Sequence, residues 1–293
     1  MGRRVSILTA LAAAASFGLA SDAARAADTT PPPPARVVPL AAPAPAAGEA
    51  TKRRPLLRFT NPQASVECKV KSPTYEGRAP LRAVRRAILQ NRPVRVIALG
   101  SSSTVGVGAS SPRAAYPIRL ENDLEGVIDG LKVEMYTRGQ SGEVAEGAAD
   151  RIKADVAELR PDLVVWQVGT NDAVARIDAE TFGEQLRDTL SWLASHNIDV
   201  VLIDPQYVER LSNDIRYTSI VNEIATVASE KRVLLVNRYE AMADLARQNP
   251  GSSYLANDRF HLNDLGYRCM AEYATKAIVA GILQADTENG AMH

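Results

Sequence analysis

Residues 94–104 read VRVIALGSSST, a short apolar run followed by a glycine and a cluster of small hydroxyl residues. The apolar run is typical of a buried strand, and the small residues after it suit a tight turn into a helix. In an open α/β sheet, ligands bind beyond the carboxyl ends of the strands. The stretch therefore predicts a strand, a turn and a helix, with hydroxyl groups held where a functional site would lie.

Four more apolar runs follow, separated by segments with helical periodicity. These predicted strands cover residues 131–137, 162–168, 199–204 and 232–237. In the segment after the first of them, Val144, Ala148, Ile152 and Val156 recur every four residues, which predicts a helix with one apolar stripe. Strands that alternate with helices are typical of parallel sheets. We therefore expect a three-layer α/β/α domain around a mostly parallel sheet of about five strands.

The amino-terminal region has the pattern of an exported protein. Residues 1–26 combine Arg3 and Arg4, an apolar stretch and the small-residue pattern Ala24-Arg25-Ala26, as in a cleavable signal peptide. Residues 27–55 are rich in proline and alanine and predict a disordered tether. No later stretch has the roughly 18 unbroken apolar residues of a membrane span. We expect a periplasmic or extracellular protein without a span once the signal is removed.

Charge is distributed unevenly, although the 293-residue chain has a formal net charge of zero. Residues 51–95 carry 12 Lys/Arg and 2 Asp/Glu, whereas residues 96–293 carry 18 and 29. The neutral total gives no reason to expect nucleic acid as a partner. The basic segment has two possible uses, to lie along the acidic domain or to contact an anionic envelope surface. We divide the mature chain into a basic extension (56–92), an organised domain (93–285) and a tail (286–293).

Polar motifs follow other predicted strands and recur near the carboxyl terminus. RGQSGE contains Gly139 and Gly142, which let a backbone approach a ligand closely, and GTND contains Asn171, whose side-chain amide can donate. In DRFHLNDLGY, Asp258 and His261 are three residues apart, so the carboxylate can bond one ring nitrogen and leave the other free. Each motif alone is common in turns and caps. Together they supply a nucleophile, a base, an orienting carboxylate and oxyanion donors.

GSSST, RGQSG, GTND and DRFH, in this order, resemble the four sequence blocks of the SGNH or GDSL-type hydrolases. The resemblance covers roughly residues 93–283 and implies a flavodoxin-like α/β/α fold and a serine esterase. It implies Ser102 as the nucleophile, with Asp258 and His261 completing a catalytic triad. The backbone N–H groups of Ser102 and Gly142 and the side chain of Asn171 would form the oxyanion hole. Such an enzyme needs no cofactor.

The chain departs from the family pattern at Ser101, where the family often has aspartate. That position supports the turn rather than the chemistry. A serine hydroxyl is a weak nucleophile until a base accepts its proton, which would be the role of His261. Asp258 would fix the ring tautomer, and water would then cleave the acyl-enzyme.

Three functions stay open at this level. The first is a secreted serine esterase that hydrolyses short-chain acyl esters, including O-acyl groups on carbohydrate. The second is a periplasmic O-acyltransferase that passes the acyl group from the same acyl-enzyme to a glycan. The third is an envelope- or carbohydrate-binding protein without turnover, and the complete set of catalytic residues argues against it.

The other histidines and the cysteines have different expected roles. His196 lies between a helix and a strand and suits a surface or capping position, and His293 is terminal. No Cys/His cluster has metal-ligand spacing, so no metal is expected. Cys68 and Cys269 are the two cysteines of a chain with an export pattern, which favours a disulfide between them. The alternative is a pair of free thiols, with Cys269 serving as a small apolar residue in a helix.

Overall fold

The computed structural model describes residues 58–250 and 253–290, with side chains through Thr287, and a six-stranded sheet lies at its centre. The predicted signal peptide and tether lie outside the described residues. The strands are β1 (Tyr75–Glu76), β2 (Val94–Gly100), β3 (Val133–Gly139), β4 (Leu163–Gln167), β5 (Asp199–Ile203) and β6 (Leu234–Val236). Their order in the sheet is β1-β6-β5-β4-β2-β3. The pairs from β6 through β3 are parallel, which confirms the mostly parallel sheet.

Helices cover both faces of this sheet. They are α1 (Arg82–Leu89), α2 (Ser102–Val105), α3 (Tyr116–Val127), α4 (Ala145–Leu159), α5 (Thr170–Val174), α6 (Ala179–Ser195), α7 (Ile215–Lys231), α8 (Arg238–Gln248) and α9 (Asp264–Gly290). Successive strand residues point to opposite faces, so Ile97 and Leu99 enter one apolar cluster while Val96 and Ala98 enter the other. The first cluster includes side chains of α4, α6 and α7, and the second includes those of α1, α3, α8 and α9. The three-layer prediction is confirmed.

Two predicted strands begin later than the apolar runs that suggested them. Leu131 is in a turn, its N–H bonded to the carbonyl of Ile128, so β3 starts at Val133. Arg232 has a φ of +54° and ends α7, so β6 starts at Leu234. At the first place the turn residue Leu131 is itself apolar, and at the second the apolar run begins directly after Arg232, so periodicity alone does not show where the turn ends and the strand begins.

The boundary placed at Pro93 from the sequence, between the basic extension and the organised domain, separates residues that share one core. Strand β1 lies in the basic extension and pairs antiparallel with β6, Tyr75 opposite Val236. A two-residue strand is too short to give a periodic signal, which is why the sequence predicts five strands rather than six. Helix α1 also lies in this extension, and Asp199 at the start of β5 accepts hydrogen bonds from its first turn. At the other end, α9 continues through Gly290, into the segment predicted as a tail.

A disulfide joins Cys68 to Cys269, with their Cα atoms 5.1 Å apart. Both residues are buried, and the hydroxyl of Tyr273, one turn further along α9, donates to the carbonyl oxygen of Cys68 at 2.7 Å. The bond fixes the extension to the helix that follows the loop of His261. None of the helices in the described ranges is long and apolar enough to cross a bilayer.

Reducing this disulfide is expected to lower the stability of the protein substantially. The bond closes a loop across a sequence separation of 201 residues, and in the chain-entropy model such a loop stabilises the folded state by about 5 kcal/mol. Thermal unfolding should shift to lower temperature in reductant, and Cys68→Ser/Cys269→Ser should match the reduced protein. Two free thiols per chain in the denatured, unreduced mature protein would contradict the bond.

Candidate active site

Ser102 is the first residue of α2, on the turn that directly follows β2. The turn requires Gly100, because its φ is +149° and an added Cβ would lie 2.6 Å from the carbonyl oxygen of Gln167. The N–H and the hydroxyl of Ser101 both donate to Oε1 of Gln167, at 3.3 and 3.2 Å. Ser101, at the position where the resembling family often has aspartate, thus braces this turn against the end of β4.

Hydrogen bonds connect Ser102, His261 and Asp258 in series. The Oγ of Ser102 lies 3.1 Å from Nε2 of His261, and Nδ1 of the same ring lies 2.5 Å from Oδ2 of Asp258. The Ser102 residue is 9% exposed, and the side chains of His261 and Asp258 are 21% and 48% exposed. This is the order of contacts that a proton needs to pass from a hydroxyl to an oriented imidazole.

A tight turn presents Asp258 and His261 on the same side. Leu255 and Leu262 form an antiparallel bridge at the base of this turn, and the N–H of Ala256 donates to the carbonyl of His261 at 2.7 Å. The structure therefore places the D-x-x-H motif in a closed loop, which ends where α9 begins.

Three donors hold the carboxylate of Asp258. Its Oδ1 accepts the N–H groups of Phe260 (2.9 Å) and His261 (3.0 Å), while its Oδ2 faces the ring of His261. Partial burial alone would raise the pKa of Asp258, but the bonds from the ring and from the two backbone N–H groups outweigh it and lower this pKa. The carboxylate form is thereby favoured beside the imidazole.

The three oxyanion donors named from the sequence lie on the turns that follow β2, β3 and β4. Among the residues described, the N–H groups of Ser102 and Gly142 have no hydrogen-bond acceptor. Gly142 has a φ of +82° and open space where a side chain would stand. The amide of Asn171 donates to the carbonyl of Glu143 at 2.8 Å, which leaves its second N–H for another acceptor.

Buried contacts fix the turn that carries Gly142. The carboxylate of Glu143 accepts from Nε of Arg151 at 2.5 Å, and the same guanidinium donates to the carbonyl of Arg138 at 2.7 Å. Asp172 accepts the N–H of Ala145 at 2.9 Å, which connects α5 to the start of α4. Because each of these bonds involves a charged side chain, the turn has a defined position before any ligand binds.

A buried polar network beneath the site was missed by the sequence analysis. Oε1 of Gln206 accepts from the hydroxyl of Thr170 (3.0 Å) and from Nη2 of Arg238 (3.1 Å), and its Nε2 donates to the carbonyl of Phe260 (3.3 Å). Nη1 of Arg238 lies 3.4 Å from the hydroxyl of Ser103. The side chain of Gln206 therefore connects Thr170, which precedes Asn171, to Phe260, which precedes His261.

The sequence contains a signal for this network. Gln206 and Arg238 follow β5 and β6 at the carboxyl edge of the sheet. Ligands of open α/β sheets bind at this edge, so polar residues here are candidates for a functional site, as after β2, β3 and β4. Arg238 is 1% exposed, and burial lowers the pKa of its guanidinium. Within the described part of the chain it has no carboxylate within 4.0 Å and is held by neutral acceptors instead. A buried arginine of this kind is indistinguishable from a surface arginine in sequence.

Gln206→Glu is expected to lower kcat while leaving KM nearly unchanged. The glutamate keeps the acceptor for Thr170 and Arg238, but it presents an oxygen to the carbonyl of Phe260, so the loop of His261 loses its contact. Small displacements of a catalytic group cost about 10²-fold in rate. Tyr217→Phe is the matched control, because it removes a 2.7 Å bond to the backbone carbonyl of Gln206 and leaves the side-chain contacts in place. Equal kcat values for the two variants would contradict this role.

Asp204 gives the fold a pH dependence. Its Oδ1 accepts the N–H of Tyr239 at 2.9 Å, and burial raises the pKa of Asp204 to about 7. The folded state therefore binds a proton that the unfolded chain releases near pH 4, so this contribution to stability is complete below pH 4 and is lost as pH rises to 7.

The free energy of unfolding should fall by roughly 1 kcal/mol per pH unit through this window. Asp204→Asn should flatten that slope, since an amide oxygen can still accept from Tyr239 and does not titrate. Urea unfolding between pH 4 and 8 checks the difference. Asp199, whose pKa burial raises to about 6, contributes a slope of the same sign in both proteins. An unchanged slope in the variant would contradict this assignment.

His196 lies away from the catalytic residues. It follows α6 and is exposed, with its ring stacked on Trp192 at 4.0 Å between centroids and Nδ1 at 2.8 Å from the Trp192 carbonyl oxygen. His293 lies outside the described residues. In the described ranges, no group of three or more His, Cys, Asp or Glu side chains could hold a metal ion.

Similar proteins are known from both sequence and structure. The model of the Non-GDSL lipase-like family matches residues 67–284, most of the chain. No curated protein matches the chain. Among solved structures, an acetyl xylan esterase, AlAXEase, is 27% identical with a TM-score of 0.54, covering 63% of this chain and 100% of its own.

Two further structures share the fold at lower identity. A putative lipolytic protein of the G-D-S-L family from Desulfitobacterium hafniense DCB-2 is 22% identical, with a TM-score of 0.53, covering 63% of this chain and 99% of its own. A two-domain esterase active on acetylated mannans is 17% identical, with a TM-score of 0.60, covering 73% of this chain and 57% of its own. The range matched by the family model, residues 67–284, includes the sheet and all of the catalytic candidates named from the sequence.

Proposed function

The chain belongs to the Non-GDSL lipase-like family and is a carboxylic ester hydrolase, and from this premise we propose that it removes short O-acyl groups from carbohydrate. The single observation that carries the proposal is the series of contacts from Ser102 through His261 to Asp258, at 3.1 and 2.5 Å. The unpaired N–H groups of Ser102 and Gly142 supply the second requirement, donors for a developing oxyanion.

The reaction begins when His261 accepts the proton of Ser102 as its Oγ attacks the ester carbonyl. Asp258 stabilises the imidazolium that forms. The carbonyl oxygen becomes an oxyanion and accepts hydrogen bonds from Ser102, Gly142 and the free N–H of Asn171, each worth about 10²- to 10³-fold in rate. His261 then protonates the leaving alcohol. Water next attacks the acyl-enzyme while His261 accepts its proton, and the acid is released as the proton returns to Ser102.

Exposure of the site supports an ester on a large alcohol. Asp258 is about half exposed and Gly142 is exposed, so the rim around the nucleophile can meet an ester carried by a polymer. The acetyl xylan esterase that resembles this chain, at 27% identity, acts on a substrate of that class. We therefore favour acetylated polysaccharides or oligosaccharides.

An oxidising location fits the same function. The amino-terminal sequence has the pattern of an export signal, and the Cys68–Cys269 bond forms and persists in the periplasm or outside the cell. We propose that the enzyme acts there, where polysaccharide substrates occur.

Hydrolysis of a series of chromogenic esters tests the acyl preference. Activity should be highest for acetyl and should fall with each added methylene, and acetylated xylan or mannan should release acetate. A clear preference for long acyl chains would refute the carbohydrate assignment. Adding a deacetylated glycan acceptor separates hydrolysis from transfer, because an acyltransferase would give acylated acceptor instead of free acetate.

A further inference from the structure

A concave basic surface lies at the amino ends of β5 and β6, at the opposite end of the sheet from Ser102 and His261. It has a volume of about 720 Å³ and is bounded by the start of α1, the end of α6 and the turn between α7 and β6. Five of the described residues that line it are cationic, namely Arg78, Arg82, Arg86, Lys231 and Arg232. We call this surface the basic groove.

Three of the five cations that line the basic groove have no nearby carboxylate among the described residues. Within the described ranges, Arg78, Arg86 and Arg232 have no carboxylate within 4.0 Å, and all three are exposed. Lys231 donates to the hydroxyl of Ser191 at 2.8 Å, a neutral partner. Cationic groups gathered in a concavity raise the local concentration of anions.

Asp199 is the one acidic residue among the described residues that line the groove. Its Oδ2 accepts the N–H groups of Ala83 and Val84 at 2.8 and 2.9 Å, so the carboxyl group caps α1 rather than pairing with an arginine. Burial also raises the pKa of Asp199 to about 6, which weakens its negative charge in mildly acidic conditions. The carboxylate thus does little to neutralise the groove.

The basic extension divides its cations between two roles. Two of its arginines pair with carboxylates elsewhere in the domain, Arg85 with Asp286 and Arg92 with Asp162. These pairs and the disulfide dock the extension. Arg78 and Arg86, which line the groove on the same segment, have no carboxylate within 4.0 Å among the described residues, so docking does not occupy them.

The backbone that carries these arginines is fixed. Gly77 has a φ of +92° and packs against Val233, which sets the path into Arg78. The N–H of Leu81 donates to the carbonyl of Gly281 at 3.0 Å. Helix α1 is thereby anchored to α9, and its exposed Arg82 and Arg86 are one turn apart on the same face. Guanidinium groups carried on a fixed backbone suit carboxylates and phosphates, which they bind in a bidentate manner.

From this arrangement we infer that the basic groove binds a strand of anionic glycan. A nucleic acid is disfavoured because no aromatic side chain of the described lining residues is available for base stacking. A membrane is disfavoured because the surface is concave, and the large apolar side chains that are exposed, such as Val66 and Ile215, do not line it. Ser191 and Asn197 offer neutral hydrogen-bonding groups for sugar hydroxyls beside the cations.

The groove is separate from the catalytic residues, since the two lie at opposite ends of the sheet. A bound strand would hold the enzyme on an acidic matrix while Ser102 stays open to an ester. This inference goes beyond the proposed function, because it assigns a second ligand and a second site to the domain.

Binding to polygalacturonate, to polyphosphate and to neutral dextran tests the inference with the full mature protein carrying Ser102→Ala. We expect binding to polygalacturonate that weakens as salt rises, and no binding to dextran. The first two polymers distinguish carboxylate from phosphate recognition. Tighter binding to a DNA oligonucleotide or to anionic phosphatidylglycerol vesicles than to either anionic polymer would overturn the glycan assignment.

Charge-reversal variants locate the site. Arg78→Glu/Arg86→Glu should weaken binding at least tenfold and should leave hydrolysis of a small chromogenic ester unchanged in the protein that retains Ser102. Lys153→Glu/Arg216→Glu makes the same change in net charge at exposed residues outside the groove and should have a much smaller effect. Arg78→Gln/Arg86→Gln, a milder change, covers the case in which the charge-reversed protein fails to fold.

Equal binding by the groove and control variants would overturn the inference. Its failure differs from failure of the proposed function, because polymer binding is measured without turnover and ester hydrolysis is measured without polymer. Loss of acetyl esterase activity with intact binding would refute the proposed function alone.

Discussion

Ser102→Ala is expected to lower kcat for acetyl ester hydrolysis by about 10⁶-fold, the effect of removing a nucleophile that acts as one unit with its base. The contact with Nε2 of His261 at 3.1 Å is made by Ser102 alone among the three neighbouring serines. The residual rate would come from the oxyanion donors and from substrate binding. Steady-state kinetics measure the loss, and mass spectrometry locates the covalent label left by a phosphonofluoridate.

The adjacent serines are the controls for this variant. Ser101 bonds to Gln167, and Ser103 lies 3.4 Å from Arg238, so their hydroxyls face other partners. Ser101→Ala and Ser103→Ala should keep most of the activity. A covalent label on Ser101 or Ser103 would show that the nucleophile is misassigned.

Asp258→Asn should lower kcat by about 10⁴-fold, and His261→Ala by about 10⁶-fold. The asparagine oxygen can still accept the N–H groups of Phe260 and His261, so the loop keeps its shape. Its amide would donate to Nδ1 of His261, however, and place the ring proton on Nε2, where it faces Ser102. The imidazole is then present in the tautomer that cannot act as a base.

The comparison of the two variants distinguishes orientation from proton transfer. Thermal unfolding of Asp258→Asn should resemble that of the wild-type protein, since the backbone bonds are preserved. If both variants lose activity equally with unchanged stability, Asp258 does more than orient the ring. If Asp258→Asn also unfolds at a lower temperature than the wild-type protein, the loss of activity comes mainly from the loop that Asp258 holds closed.

Much of the fold was predictable because it repeats one local pattern. The runs at residues 94–99, 162–168, 199–204 and 232–237 are apolar and separated by helices, so each carries its own signal. The contributions of the basic extension were not predictable in the same way. Tyr75 and Glu76 form a strand only because β6 offers an edge, and such pairing between distant segments leaves no period in the sequence.

The candidate site was predictable because its residues lie in short motifs that together resemble the blocks of the SGNH or GDSL-type hydrolases. Ser102, Asn171 and His261 come from three distant motifs, and the sheet geometry brings the elements that carry them to one edge. Gln206 and Arg238 lie at the same edge but in DPQY and NRYE, which resemble ordinary turns. Their importance arises from burial and from partners that the chain order does not reveal.

The two residues of β1 also protect the sheet. Without them, β6 would present a free row of backbone N–H and C=O groups along Leu234–Val236, and such an edge pairs readily with strands of other molecules. A shortened protein that begins at Pro93 would lose this cover together with the partner of Cys269. The most compact domain suggested by motif boundaries would therefore be prone to aggregation, and the basic extension serves as its safeguard against self-association.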